Sequence, residues 1–286
     1  MIPSQNIVAW GNIVPWAEPR QVEQDLIISR GIIAIFSDEV LSKELRFRGG
    51  TALNKLHFPA PLRYSEDIDL VRTTAGPIGP ILDRLREVLE PWLDRAQFAQ
   101  SPVAPKFRFR VPAEDGGEAP IRLKVEINIS EIEAYDPPIV IPLQVENPWF
   151  SGKVDVPTFS PEEMLATKLR ALLQRDKGRD LYDLSHALTV FEGLKRDRVA
   201  ELFGRYLGFA GQAISRAQAQ ERMFGKLVNP HFLTDMRPLL PPAQAELVTE
   251  ATTREAFLRV FAELVGRLPG DDWIRTPEMW KKFGLP

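Results

Sequence analysis

Residues 47–71, FRGGTALNKLHFPAPLRYSEDIDLV, restrict the fold more than any other part of the chain. An extended Leu45-Arg46-Phe47-Arg48 runs into Gly49-Gly50. After a short helical segment and a loop, the chain resumes with Asp67-Ile68-Asp69-Leu70-Val71. Glycine permits a tight turn and a close approach of backbone to another group. Pro59 and Pro61 exclude helix from the loop. In a strand, residues i and i+2 point to the same face, so Asp67 and Asp69 project together while Ile68 and Leu70 go to the other side. The stretch therefore requires two strands joined through a glycine turn, the second with a paired-carboxylate face.

Around this stretch the hydrophobic pattern divides the chain in two. Apolar residues at Val22, Leu26, Ile27, Ile33, Ile35 and Phe36 predict a helix over 19–45, with Gly31 as its break. A second amphipathic helix is predicted over 77–97. Strands are predicted over 107–111 and 121–129, and a further extended segment over 140–145. Ser160-Pro161-Glu162-Glu163 is a helix start, with Ser as N-cap, Pro at the first helical position and Glu three after the cap. Everything after it reads as helix. The expectation is an α+β chain: a mixed β-sheet with helices over 1–157, then a helical domain over 158–286. A length of 286 residues is ample for both.

Composition excludes several functions. The absence of cysteine rules out disulfides, thiolate zinc sites and thiol catalysis. A net charge of −3 means that any nucleic-acid contact must come from local basic patches. The opening MIPSQNIVAWGNIVPW is interrupted by Gly11 and Pro15 and lacks a basic start, which is a poor signal peptide. No run approaches the roughly 18 apolar residues of a membrane span. The expectation is a cytoplasmic protein with no membrane partner.

Two carboxylates side by side repel, and a divalent cation relieves that repulsion. Hard oxygen donors suit Mg²⁺ (or Mn²⁺), usually shared with substrate phosphates. Gly49 and Gly50 let the backbone approach an anion at a helix start, and the Thr51 hydroxyl can add a hydrogen bond. Phosphate cradle and carboxylate pair together suggest a site for a nucleoside triphosphate. Lys124, Glu126 and Asn128 share one face of their strand, so Glu126 is a candidate third carboxylate. The metal set is then Asp67, Asp69 and Glu126. Taken singly, an Asp-x-Asp is commonly a solvated strand edge, a Gly-Gly-Thr only a turn, and Glu126 a solvent-facing residue. Their order along the chain makes the composite site the better reading.

These residues resemble the nucleotidyltransferase superfamily typified by DNA polymerase beta. Phe47-Arg48-Gly49-Gly50-Thr51-Ala52-Leu53 with Arg63-Tyr64-Ser65-Glu66-Asp67-Ile68-Asp69-Leu70 resembles its AbiEii/MenT group of bacterial toxin–antitoxin systems. A second block, Lys168 through Arg175 to Arg179-Asp180-Leu181-Tyr182-Asp183, is similar to that group's lysine helix and following acidic motif. The resemblance covers residues 20–190 and implies a two-lobed protein in which the helical domain closes an active-site cleft. It implies transfer of a nucleotide from NTP to an acceptor, expected to be RNA at a tRNA 3′ end, with release of pyrophosphate and with a separate antitoxin protein as partner. Asp67, Asp69, Glu126, Lys168 and Asp180 would then be catalytic, and Gly49, Gly50, Thr51, Ser65 and Arg175 would bind the nucleotide. Lys168 and Arg175, seven apart on one helix face, would reach triphosphate oxygens, with Asp180 orienting Lys168 or a metal-bound water. Asp183 is the weaker candidate.

Alternatives stay open. Ser65 is either a phosphate contact or a strand cap, and its hydroxyl is a conceivable modification site. An aromatic and acidic acceptor cleft would favour a small-molecule acceptor, as in antibiotic-modifying relatives; a basic groove would favour RNA. A non-catalytic nucleotide- or partner-binding module is the third reading. Two basic patches are candidates for RNA: Lys106, Arg108 and Arg110 on one strand face, and Arg170, Arg175, Lys177 and Arg179. His57 is read as an exposed loop residue, and Trp273 and Trp280 as packing residues.

Overall fold

The computed structural model describes residues 2–285. The chain forms two compact units, residues 1–160 with 239–242, and residues 161–238 with 243–286.

The first unit begins with α1 (Ser4–Gly11), α2 (Pro19–Phe36) and α3 (Leu41–Glu44), followed by β1 (Leu45–Arg48) and α4 (Gly49–Ala52). A π-turn over Leu53–His57 extends α4. Then come β2 (Asp67–Arg72), α5 (Gly79–Leu93), β3 (Gln97–Ala99), β4 (Lys106–Val111), β5 (Ile121–Asn128), β6 (Ile139–Asn147) and β7 (Phe150–Thr158). The seven strands form one mixed sheet in the order β3-β4-β5-β2-β1-β7-β6. β2 runs antiparallel to β1 and parallel to β5, and β7 runs parallel to β1.

One face of the sheet is the core. Phe47, Ile68, Leu70, Phe107, Phe109, Leu123, Val125 and Ile127 are buried, as are Leu26, Ile28 and Ile32 of α2 and Leu85 and Leu89 of α5. The alternating polar residues of β2, β4 and β5 are left on the other face, the pattern of a sheet packed on one side. At Gly31 the helix does not break. A Cβ there would stand 3.1 Å from Ile68 Cδ1, so the glycine lets α2 lie close behind the strand that carries Asp67 and Asp69. The break comes at Asp38 instead, whose carboxylate accepts from the amides of Val40 and Leu41 at 3.0 Å each. The helix predicted over 77–97 stops at Leu93, because Asp94 takes a left-handed φ of 63° and turns the chain into β3. α1, β3 and β7 carry too short or too polar a pattern to be read from sequence alone.

The second unit is helical: α6 (Pro161–Gln174), α7 (Gly178–Val190), α8 (Arg196–Phe209), α9 (Arg216–Leu227), α10 (Pro230–Thr234), α11 (Pro242–Leu247), α12 (Glu250–Glu263) and α13 (Thr276–Lys282). The helix begins at Pro161, as the capping sequence predicts. Phe224 gathers Phe257, Phe261, Trp273 and Trp280 around its ring at 5.4–6.1 Å between centroids, so both tryptophans are packing residues. Among the described residues no helix is long and apolar enough to cross a membrane.

Candidate active site

Three rows of side chains cross the open face of the sheet. In the first, Arg48 of β1 lies opposite Asp69 of β2, which lies opposite Glu126 of β5 and then Lys106 of β4. In the second, Asp67 lies opposite Lys124, Arg108 and Gln97. In the third, Arg122 lies opposite Arg110. The structure thus brings Asp67, Asp69 and Glu126 onto neighbouring strands, as alternation requires.

The glycine turn closes one side of this face. Gly49 has φ of 85°, and any Cβ on it would overlap the Asp69 carboxylate. A Cβ on Gly50 would come within 2.6 Å of an Arg63 guanidinium nitrogen. Arg63 is buried and donates to the Tyr64 carbonyl at 3.0 Å. Asn54, in the π-turn, donates to the Gly50 carbonyl at 2.9 Å and accepts from the amides of Leu62 and Arg63, which ties the proline loop to the glycines. Thr51 is buried, its hydroxyl bonded to the Asp67 carbonyl at 2.5 Å and to the Ser65 hydroxyl at 2.8 Å. These two hydroxyls clamp the turn to β2. His57 is not an exposed loop residue: it ends the π-turn, half-buried, with Nε2 3.4 Å from the Thr158 hydroxyl. Burial pushes its pKa down to about 4, so the ring is neutral.

The carboxylates are only partly compensated. Burial, and after it the charge of Asp67, push Asp69 up to about 6. Burial alone would raise Glu126 as well, but Lys124 and Lys106, each 3.2 Å from its Oε2, hold it below the ordinary range. Lys124 also lies 3.0 Å from Asp67 Oδ2. Its own ammonium is held on by Asp67 and Asp69 against the opposing effect of burial. Arg48, at the end of the first row, is paired with Glu131 at 2.9 Å. The i, i+2 spacing of Lys124 and Glu126 puts the lysine on this face, and its role as the cation between Asp67 and Glu126 comes from the pairing of β5 with β2.

The donor set fits a divalent cation in kind: hard carboxylate oxygens on adjoining strands, one of them short of counter-charge. The Lys124 ammonium between Asp67 and Glu126 stands in for a cation there. As the side chains lie, no group of three His, Cys, Asp or Glu among the described residues converges on one point. Beside the carboxylates a groove of about 420 Å³ is lined by Glu66, Asp67, Gln97, Arg108, Phe109, Arg110, Arg122, Leu123 and Lys124.

The second sequence block forms its own network within the helical unit. Lys168 of α6 places Nζ 3.2 Å from Asp180 Oδ1 and 2.9 Å from Asp183 Oδ2, both on α7. Arg175 grips Asp180 with two hydrogen bonds of 2.7 and 2.9 Å. Both aspartates are fully buried and Lys168 nearly so. Burial would raise Asp180, but Lys168 and Arg175 outweigh it and hold it below the ordinary carboxylate range. Asp183, the weaker candidate from sequence, is as deeply placed as Asp180. Of the neighbouring basic run, Arg170 lies over the Tyr206 ring at 5.2 Å.

A strand, a glycine turn clamped to a neighbouring strand, and two carboxylates facing that turn are the arrangement expected from the sequence resemblance. Residues 32–263 match the family described as nucleotidyl transferase AbiEii toxin of type IV toxin–antitoxin systems, and the chain belongs to that family. Its fold is similar to that of MenT4, a nucleotidyltransferase toxin from Mycobacterium tuberculosis H37Rv, with a TM-score of 0.61 at 14% identity over 100% of this chain and 99% of that one. It is also similar to JHP933 from Helicobacter pylori, with a TM-score of 0.54 at 16% identity over 86% of this chain and 94% of that one. No curated protein matches the sequence significantly. The chain is accordingly a nucleotidyltransferase of this toxin family, with an NTP as its substrate.

Proposed function

We propose that the chain transfers a nucleotide from an NTP to RNA, at the 3′ end of a tRNA, as the toxin partner of a separate antitoxin protein. The observation that carries this reading is the open sheet face. Asp67, Asp69 and Glu126 share it, the backbone of Gly49 lies against Asp69, and Asp69 lacks full counter-charge. In the reaction the acceptor hydroxyl oxygen bonds the α-phosphorus, its proton passes to solvent water, and the bond to the bridging oxygen breaks to release pyrophosphate. Mg²⁺ (or Mn²⁺), held by Asp67 and Asp69 with Glu126 adjacent, would neutralise phosphate charge when bound. Gly49 and Gly50 let the backbone of the turn lie against the Asp69 carboxylate and the Arg63 guanidinium, which brings the turn's amides beside the carboxylates. Thr51 and Ser65 act by fixing the turn. Lys168, Arg175 and Asp180 enter the proposed machinery through the resemblance of their motif, and their side chains are pre-oriented by the network they form.

The groove beside Asp67 favours RNA over a small-molecule acceptor. Arg108, Arg110, Arg122 and Lys124 line it, with Phe109 as its one aromatic residue. The direct test is incubation of the purified protein with Mg²⁺, total bacterial tRNA and each α-labelled NTP in turn, beside Asp69→Ala. Label on RNA that disappears in the variant is the expected result. No label with any NTP, from a folded protein, would reject RNA as the acceptor.

A further inference from the structure

β4 and β5 carry a run of cations on the open face of the sheet that the fold itself does not use. Strand register sets Arg108 opposite Lys124 and Arg110 opposite Arg122. Like charges directly opposite each other on antiparallel strands destabilise the pair. Arg108, Arg110 and Arg122 are exposed, and among the described residues their guanidinium groups have no hydrogen bond, ion pair or ring partner. In the other basic run, by contrast, Arg170 lies over Tyr206 and Arg175 is held by Asp180, two of its four cations. The exposed arginines therefore form a surface that is under-neutralised as it stands.

This surface adjoins the carboxylates. Successive rows on one sheet face are about 6.7 Å apart, so the Arg110–Arg122 row lies about 13 Å along the strands from the row of Asp69. Between them is the row of Arg108, Lys124 and Asp67. The groove that contains these side chains has its acids, Glu66 and Asp67, at the β2 end and its arginines on β4 and β5. A single triphosphate beside the glycine turn does not need cations spaced over two further rows. A polymer with regularly spaced phosphates does, and guanidinium groups bind phosphate through paired donors.

We propose that Arg108, Arg110 and Arg122 form a track for the sugar–phosphate backbone of the acceptor RNA, which leads its terminal hydroxyl toward Asp67 and Asp69. This rests on the reading of the carboxylate face as a nucleotidyltransferase site with an RNA acceptor. None of the three arginines belongs to the proposed metal or nucleotide set, so their removal separates acceptor binding from chemistry.

The test is the Arg110→Ala/Arg122→Ala double variant. Binding of fluorescein-labelled total bacterial tRNA is followed by anisotropy between 50 and 200 mM salt, with EDTA and without NTP. The native protein is expected to bind with a steep salt dependence. The variant is expected to bind on the order of tenfold more weakly at the low-salt end. Its salt slope should be shallower by about 0.7 to 1 per arginine removed. Its melting temperature should be equal or higher, because a like-charge pair has been relieved. Unchanged affinity and slope, failure of the native protein to bind tRNA, or a lower melting temperature would each overturn the track. The outcomes separate the two claims. Label transfer that needs Asp69 but ignores the arginines rejects the track and leaves the activity. Arginine-dependent tRNA binding without transfer from any NTP rejects the activity and leaves the track.

Discussion

The two units each gather acids and bases, and they do so in opposite ways. In the helical unit, Asp180 and Asp183 are fully buried, and Lys168 and Arg175 supply matching positive charge at 2.7–3.2 Å. On the sheet, Asp67, Asp69 and Glu126 are partly buried and share two lysines. The carboxyl pKa values contrast most between Asp180, held down by its partners, and Asp69, pushed up to about 6, while Glu126 is held down by its two lysines. The helical network holds its charges balanced among its own members. The open one is short of one positive charge, which a cation or a cation-bound phosphate can provide. The capacity to take up substrate lies where the fold leaves charge unbalanced.

The comparison breaks most clearly under truncation. Asp67→Ala or Asp69→Ala should lower transfer by about 10³-fold or more, several kcal/mol of transition-state stabilisation, while the melting temperature holds or rises. Asp180→Ala should instead destabilise the fold by about 2–3 kcal/mol, since it removes one of the two carboxylates that compensate the nearly buried Lys168 and releases the Arg175 fork. Denaturant titration of both variants beside the transfer assay checks this. A stable, inactive Asp180→Ala protein would show that its network serves chemistry before structure. Gly49→Ala should fall between these cases. It forces a side chain into left-handed φ and against the Asp69 carboxylate, and should cost about 1–3 kcal/mol together with most of the activity. Wild-type activity in that variant would remove the glycine turn from the site.

The open site was largely legible in the sequence and the closed one only in part. Period-two alternation fixes which residues of a strand share a face, so the Asp67–Asp69 pair and the inward Ile68 could be read without coordinates. The doublet that ends β1 signals a turn, but that the positive φ falls on Gly49 and not on Gly50 is seen only in the structure. What could not be read was the register between strands far apart in sequence. The 12-residue step from Arg110 to Arg122 crosses a loop, and nothing local says that these two arginines face each other. Lys124 was visible on the face of Glu126, but that it also reaches Asp67 depends on β5 pairing with β2. That the Thr51 hydroxyl is bonded to Ser65 and to the Asp67 carbonyl depends on the fold of the loop between them, which has no sequence period. On α6 and α7 the spacing of Lys168 and Arg175 gave a shared helix face. Burial of Asp183 beside Asp180 came from packing between the two helices.

The smallest expected effect distinguishes the two clusters by sign. Between about pH 4 and 6, folded Asp69 keeps a proton that an unfolded aspartate, with an ordinary pKa of 3.8, has lost. A carboxyl whose folded pKa is raised destabilises the fold above that window, and the penalty is relieved as pH falls through it. Asp69→Asn should therefore melt higher than the native protein at pH 7–8 in EDTA, by about 1–2 kcal/mol after allowance for the side chain's partial exposure. The advantage should shrink toward zero near pH 4. Asp180 has the opposite sign: its folded pKa is depressed, so its contribution is present above pH 3.8 and lost in stronger acid. Asp180→Asn should accordingly be the less stable protein at neutral pH, and its deficit should narrow only in acid. Millimolar Mg²⁺ sharpens the contrast. An ion that binds only the folded carboxylate pair raises the native melting temperature and leaves that of Asp69→Asn unchanged. If the difference between native and Asp69→Asn melting is flat with pH and indifferent to Mg²⁺, the carboxylates on the sheet are as well compensated as those between the helices. The distinction between an open and a closed cluster then fails.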